Sequence, residues 1–181
     1  MRVISGKHRS RHLEEVGSNT TRETKDRVKE SLFGTIHFDC QSSSVLDLFT
    51  GSGALGIEAL SRGADMCDLV DVNQVAIKTV RKNLEALDLT QKSTVYQQDY
   101  KVFLDSTTMV YDLIFLDPPY KTYNLDLMIT KIAERKLLKQ HGKIILLTHK
   151  SEMINEYNHG IIPYKTKTKG ITKITFLRWS D

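Results

Sequence analysis

Along the chain, apolar positions alternate between strand-like runs and stripes at helical spacing. Ser44 to Phe49 (SVLDLF) is a short apolar run rich in strand formers, and it meets a glycine turn. Ala54 to Arg62 follows as a helix, with Gly63 where a helix C-cap wants a glycine. Met66 to Val72 is a second strand, and Asn73 N-caps a helix that buries Ala76, Val80, Asn83, Leu84 and Leu87. Thr94 to Gln97 is a brief strand, and Asp112 to Leu116 (DLIFL) is a nearly continuous apolar one. Leu125 to Leu138 reads as a helix with Ile129, Ile132 and Ala133 on one stripe, and Lys143 to Thr148 (KIILLT) as a further buried strand. Gly160 to Lys167 and Gly170 to Trp179 alternate about a Lys-Thr-Lys-Gly turn and predict an antiparallel hairpin. Upstream, Thr24 to Ile36 predicts a helix with Val28, Leu32, Phe33 and Ile36 inward, and Arg2–Ile4 with Arg11–Leu13 a small β arm. Strands alternating with helices imply βαβ units: a mostly parallel α/β sheet of seven strands, covered on both faces.

The chemistry gathers where these strands end. Asp47-Leu48-Phe49-Thr50-Gly51-Ser52-Gly53-Ala54-Leu55-Gly56 leaves a strand and opens a helix. Gly51 and Gly53 allow a tight turn and close approach of a ligand to backbone, and Gly56 allows close helix–strand packing. Asp47 would repel a pyrophosphate, and the lack of GKS or GKT excludes a P-loop. Asp71, roughly 20 residues on, stands where an acid accepts hydrogen bonds from a ribose diol; standing alone, it would read instead as a helix N-terminal charge beside Asn73. Asp99 follows the third strand, where it could accept from an adenine amino group with the Tyr100 N–H as a donor; taken singly, it reads first as a helix cap. Asp117-Pro118-Pro119-Tyr120 directly follows the DLIFL strand. Its prolines stiffen the turn and remove both N–H donors, leaving a carboxylate and a carbonyl as acceptors beside an aromatic wall. That pocket suits the two N–H donors of an exocyclic base amine stacked on Tyr120, held toward an electrophilic methyl group.

Composition narrows the setting. The 181 residues fit one domain, and 40% hydrophobic content is enough for a core. The net charge of +4 permits a nucleic-acid partner without demanding one. No apolar run approaches the ~20 residues of a membrane span, and the start lacks a signal-peptide core. Cys40 and Cys67 have no CxxC spacing and read as reduced thiols, so the expected setting is cytoplasmic. His8 and His12 lack a third ligand, and no metal is expected. Arg2, Lys7, Arg9 and Arg11 precede the first acid at Glu14 and could contact RNA phosphates, or simply form a solvated arm. The lysines at 165, 167, 169 and 173 read as protection of a sheet edge. No role follows from the residues for His149 or Cys67.

Five stretches together carry a resemblance: MRVISGKHRSRHL, TRETKDRVKESLF, VLDLFTGSGALGIEALSRGA, LVDVNQVA and YDLIFLDPPY. The chain resembles Rossmann-like S-adenosylmethionine-dependent methyltransferases, and more narrowly the bacterial RsmD family of 16S rRNA guanine-N2 methyltransferases. The likeness runs from Met1 to about Tyr120, and Glu23 stands where that family usually carries proline. It implies a class I methyltransferase domain over residues 21–181 behind a basic arm of residues 1–20. It implies S-adenosylmethionine bound by Asp47, Phe49, Gly51, Gly53 and Gly56, by Asp71 and Val72, and by Asp99 and Tyr100. Catalysis would fall to Asp117, Pro118, Pro119 and Tyr120. RNA contact would fall to Arg2, Lys7, Arg9, Arg11 and Arg22, with the substrate in an assembled or assembling 30S particle. DNA adenine-N6 methylation and a non-catalytic RNA-binding scaffold are the alternatives. The small size leaves little room for the target-recognition domain the first would need.

Overall fold

The computed structural model describes residues 1–17, 26–156 and 159–181. Arg22 and Glu23, and the predicted boundary between residues 20 and 21, lie outside the described residues. The elements run α1 (Asp26–Ile36), β1 (Ser44–Leu48), α2 (Ala54–Ser61), β2 (Met66–Asp71), α3 (Gln74–Ala86), β3 (Ser93–Gln97), α4 (Tyr100–Ser106), β4 (Tyr111–Leu116), α5 (Leu125–Glu134), β5 (Leu138–His149), β6 (Ile161–Lys169) and β7 (Thr172–Trp179). The seven strands form one sheet in the order β3-β2-β1-β4-β5-β7-β6, with only β7 antiparallel to its neighbours. Each face carries its own core. Val45, Leu69, Phe115 and Ile145 pack beneath α1, α2 and α3. Leu46, Val70, Ile114 and Leu146 pack beneath α4 and α5.

Two local features differ from the pattern. The helix expected to reach Leu138 stops at Glu134, because Lys136 turns into the left-handed region (φ 53°). The Leu137 carbonyl then accepts from Tyr111 N at 2.8 Å, and Leu138 pairs with Tyr111. Helix α4, which the apolar spacing did not show, begins at the cap that Asp99 supplies, its Oδ1 accepting from Lys101 N at 2.8 Å.

The N-terminal segment packs on the domain rather than projecting from it. A single antiparallel bridge joins Arg2 and His12, and Val3 and Leu13 enter the core under α1. The Glu58 carboxylate on α2 accepts from Ile4 N (2.9 Å), Ser5 N (3.1 Å) and Arg62 Nε (3.0 Å). Lys29 lies 3.3 Å from the same carboxylate, and both side chains are 0% exposed. Burial pulls the Lys29 pKa down while Glu58 opposes the shift. Asn83 completes the attachment: Oδ1 accepts from Glu14 N (2.8 Å), and Nδ2 donates to the carbonyls of Glu14 (3.0 Å) and Ser52 (2.9 Å).

Candidate active site

The strand order reverses at β1, so the loops after β1 and β4 diverge and leave a crevice at the carboxyl ends of the strands. Leu48 pairs with Leu116 and with Val70. The glycine loop, the Asp71 turn and the DPPY turn therefore leave the sheet side by side, on strands spaced ~4.8 Å apart.

The loop after β1 is a tight one. Phe49, Gly51 and Gly53 all have positive φ, at 68°, 56° and 88°. For Phe49 this conformation costs ~1–2 kcal/mol. Ring packing offsets that cost, with Tyr123 at 4.9 Å and Tyr100 at 5.4 Å between centroids. A Cβ at Gly53 would lie 2.6 Å from Val80 Cγ2, which explains glycine there beyond its φ. Asp47, 1% exposed, holds the loop from below: Oδ2 accepts from Thr50 Oγ1 (2.7 Å) and from Gly56 N (2.9 Å). Gly56 brings α2 onto β2, since an added Cβ would sit 2.8 Å from Cys67 Sγ and 2.9 Å from Leu69 Cδ2. Cys67 is thus a buried floor for the helix, and burial pushes its thiol pKa well up.

Asp71 spans the loop and the next helix. Its Oδ2 accepts from Gly51 N at 2.9 Å and its Oδ1 from Asn73 N at 2.9 Å. Beside it opens a narrow cleft lined by Phe49, Val70, Asp71, Val72, Gln98, Asp99, Tyr100 and Tyr123. Five residues singled out from the sequence, Phe49, Asp71, Val72, Asp99 and Tyr100, meet in this one cleft. Gln98 and Tyr123 were missed. The Gln98 Oε1 is buried and accepts no hydrogen bond from the described residues. Burial, with Asp99 and Asp71 nearby, pushes the Tyr123 hydroxyl pKa up, so it stays a neutral donor. A clue to both lay in position: Gln98 directly precedes Asp99, and Tyr123 follows the DPPY tyrosine by three residues.

The DPPY turn continues β4. Asp117 is buried at the head of the turn. The Tyr120 hydroxyl lies 2.9 Å from Thr172 Oγ1 on β7, and its ring meets the His149 ring edge-on at 5.6 Å. His149 and Thr172 are paired across β5 and β7, so the hairpin region fixes the aromatic wall of the turn. His149 acquires a position that the sequence did not suggest.

The basic arm distributes its charges unevenly. Lys7 N donates to the Ser61 carbonyl (2.8 Å), and an Arg11 guanidinium nitrogen to the Ala86 carbonyl (2.9 Å). These mark the C-terminal ends of α2 and α3, the opposite edge of the sheet from the glycine loop, and Arg9 lies in the turn between them. Arg2 lies near the start of α1, 3.5 Å from Asp26. Among the described residues no cluster of His, Cys, Asp or Glu is arranged to hold a metal, and no helix is long and apolar enough to cross a membrane.

A parallel sheet with a lone antiparallel β7, a glycine loop after β1 and a DPPY turn after β4 define a Rossmann-like methyltransferase fold. A solved structure titled a putative methyltransferase yhhF from Escherichia coli superposes with a TM-score of 0.89 at 26% identity, covering 99% of this chain and 97% of that one. A family profile described as Conserved hypothetical protein 95 matches residues 1–178, and the chain belongs to that family, the RsmD methyltransferases. Among its relatives, a Bacillus subtilis protein named putative rRNA methyltransferase YlbH is 39% identical over 98% of both chains. The Haemophilus influenzae ribosomal RNA small subunit methyltransferase D is 34% identical over 94% of this chain and 90% of its own.

Proposed function

We propose that the protein transfers a methyl group from S-adenosylmethionine to the exocyclic N2 amine of a guanine in 16S rRNA, within an assembled or assembling 30S particle in the cytoplasm. The observation that carries this reading is the pairing of Leu48 with Leu116, which opens the aromatic cleft and the DPPY turn onto one crevice. The cleft suits an adenosyl group. Its walls are aromatic and apolar, and its polar groups, Asp71, Asp99 and the Gln98 oxygen, are acceptors suited to a ribose diol and an adenine amine. When bound, S-adenosylmethionine supplies an electrophilic methyl group on a sulfonium.

The chain's own residues do the rest. Asp71 accepts from the ribose hydroxyls, and Phe49 and Tyr123 flank the adenosyl group. The Asp117 carboxylate and the Pro118 carbonyl accept the two amine N–H groups, turning the nitrogen lone pair out of conjugation with the ring. Tyr120 offers a stacking face worth ~1–3 kcal/mol per base. Orientation of this kind lowers the barrier without a covalent intermediate. Lys7, Arg9 and Arg11 supply contact to more distant phosphates of the RNA.

Incubation with labelled S-adenosylmethionine and separate pools of 30S particles, naked rRNA, DNA and protein tests the proposal. Label is expected in small-subunit rRNA, as N2-methylguanine after digestion. Label confined to DNA or protein, or found on another base, would refute it.

A further inference from the structure

We propose that a second basic surface, the groove between the first turns of α1 and the outer end of β6, receives the phosphodiester backbone of the RNA whose base enters the DPPY turn. This rests on the rRNA methyltransferase reading above.

The groove, open to solvent, is lined by Arg27, Glu30, Ser31, Lys167 and Lys169. Three cations face one carboxylate. Among the described residues none of the three forms an ion pair. Lys167 Nζ donates to the Ser31 carbonyl at 3.2 Å, which anchors the ammonium over α1 and leaves its remaining N–H donors for a ligand. Arg27 and Lys169 are exposed.

Protection of an edge strand accounts for lysines alternating along β6. It does not account for Arg27, which arrives from a different element more than a hundred residues away and converges on the same groove. Lys167 and Lys169 project on the same face of β6, two residues or ~7 Å apart. That is comparable to the separation of neighbouring phosphates along an extended strand. Strand β6 runs parallel to β5, so its outer end lies on the carboxyl edge of the sheet, with the reactive crevice.

The link to the site is short. Lys169 pairs with Thr172, and the Thr172 hydroxyl holds Tyr120. A nucleotide stacked on Tyr120 therefore trails its backbone toward Lys169, Lys167 and Arg27. By contrast, Lys7 and Arg11 sit at the opposite edge, beyond α2 and α3. The groove is thus the basic surface that bears on presentation of the target base, and phosphate contact there fixes register without reading sequence.

The test uses the full chain and an rRNA fragment that the wild-type protein methylates. Lys167→Gln/Lys169→Gln and, separately, Arg27→Gln are compared with wild type. Measurements are RNA binding across a salt series, steady-state methylation, and the melting shift induced by S-adenosylmethionine. The expected result is a salt slope shallower by about one per cation removed, with a raised KM for RNA. Methylation at saturating RNA and the cofactor-induced melting shift should be retained. An unchanged slope and KM in both variants, while the wild type methylates the fragment, would overturn the groove. So would a slope change that appears only in Lys7→Gln/Arg9→Gln, or a loss of affinity for 30S particles without any for naked RNA. Failure of the wild-type protein to methylate any rRNA would instead sink the reading of function on which the groove depends.

Discussion

Replacing Gly56 with alanine should destabilise the protein, whereas the same change at Gly34 should stabilise it, although both glycines lie within helices. At Gly34 an added Cβ meets nothing within 4 Å and the position is exposed. Only the helix-propensity gain of ~1 kcal/mol remains. At Gly56 the Cβ would approach Cys67 Sγ at 2.8 Å, Leu69 Cδ2 at 2.9 Å and Asp47 Oδ2 at 3.1 Å. Cys67 and Leu69 are wholly buried on β2, which is bonded on both sides by β1 and β3, so they have little room to yield. Helix α2 must therefore lift, with an overpacking cost of ~1–3 kcal/mol. Lifting also stretches the 2.9 Å bond from Gly56 N to the Asp47 carboxylate, a charge-assisted contact worth ~1.5–3 kcal/mol. Against the propensity gain, the net loss is about 2 kcal/mol or more. For a chain of this length each kcal/mol moves the melting temperature by ~2–4 °C. Thermal unfolding should show Gly34→Ala up by about 2–4 °C and Gly56→Ala down by at least about 4–8 °C. A Gly56→Ala protein melting at or above wild type would refute the close-packing argument.

Further expectations concern the site and its pH response. Asp71→Ala should weaken the melting shift induced by S-adenosylmethionine by losing acceptors worth ~1.5–3 kcal/mol; an undiminished shift would mean the ribose is held elsewhere. Asp117→Ala should leave that shift intact yet lower the single-turnover methylation rate by ~10²–10³, and a wild-type rate would end its amine-orienting role. Tyr120→Phe keeps the ring and loses the hydroxyl that meets Thr172, so it should retain most of the rate, whereas Tyr120→Ala should lose RNA affinity and rate together. Burial raises the pKa of Asp68 although the Tyr111 hydroxyl, 2.6 Å from Oδ2, opposes the shift. The folded state then binds that proton more tightly than the unfolded chain, so the group's contribution falls as pH rises from the ordinary carboxylate range. Asp68→Asn should accordingly gain on wild type in melting temperature as pH rises above the ordinary carboxylate range; a pH-independent gap would refute the raised pKa.

Legibility in the sequence followed locality. The strands SVLDLF and DLIFL, the helix capped by Asn73 and the glycine loop were readable because the physics that makes them acts over a few neighbouring residues. The start of β5 was not. Leu137 and Leu138 continue the spacing of α5, and only the distant Tyr111 N–H draws them into the sheet. Helix α4 buries only Tyr100, Phe103 and Leu104, too few positions to show a period over seven residues. In the site, Asp71, Asp99 and the DPPY turn announced themselves by standing at strand ends. Gln98 and Tyr123 did not: Gln98 is set in the cleft by the distant Asp71 carbonyl, and Tyr123 by packing on Phe49, contacts no local pattern shows. The arm was the hardest to judge: its charge pattern allowed RNA contact or a solvated segment alike, and its anchor, Glu58, lies more than fifty residues away.

That anchoring has a kinetic consequence. During synthesis the first fourteen residues emerge early, yet the groups that hold them, Glu58, Ser61 and Asn83, arrive 53 to 69 positions later. At ~5–20 residues per second the segment waits on the order of several seconds for these partners, with only the α1 contacts, such as Lys29 Nζ donating to the Arg2 carbonyl, available sooner. Its contacts are among the most sequence-distant around α2 and α3, and closing such long loops is entropically slow. Docking of the arm is therefore a late event. Asn83 bonds both Glu14 and Ser52, so the same event that seats the arm completes the brace on the glycine loop.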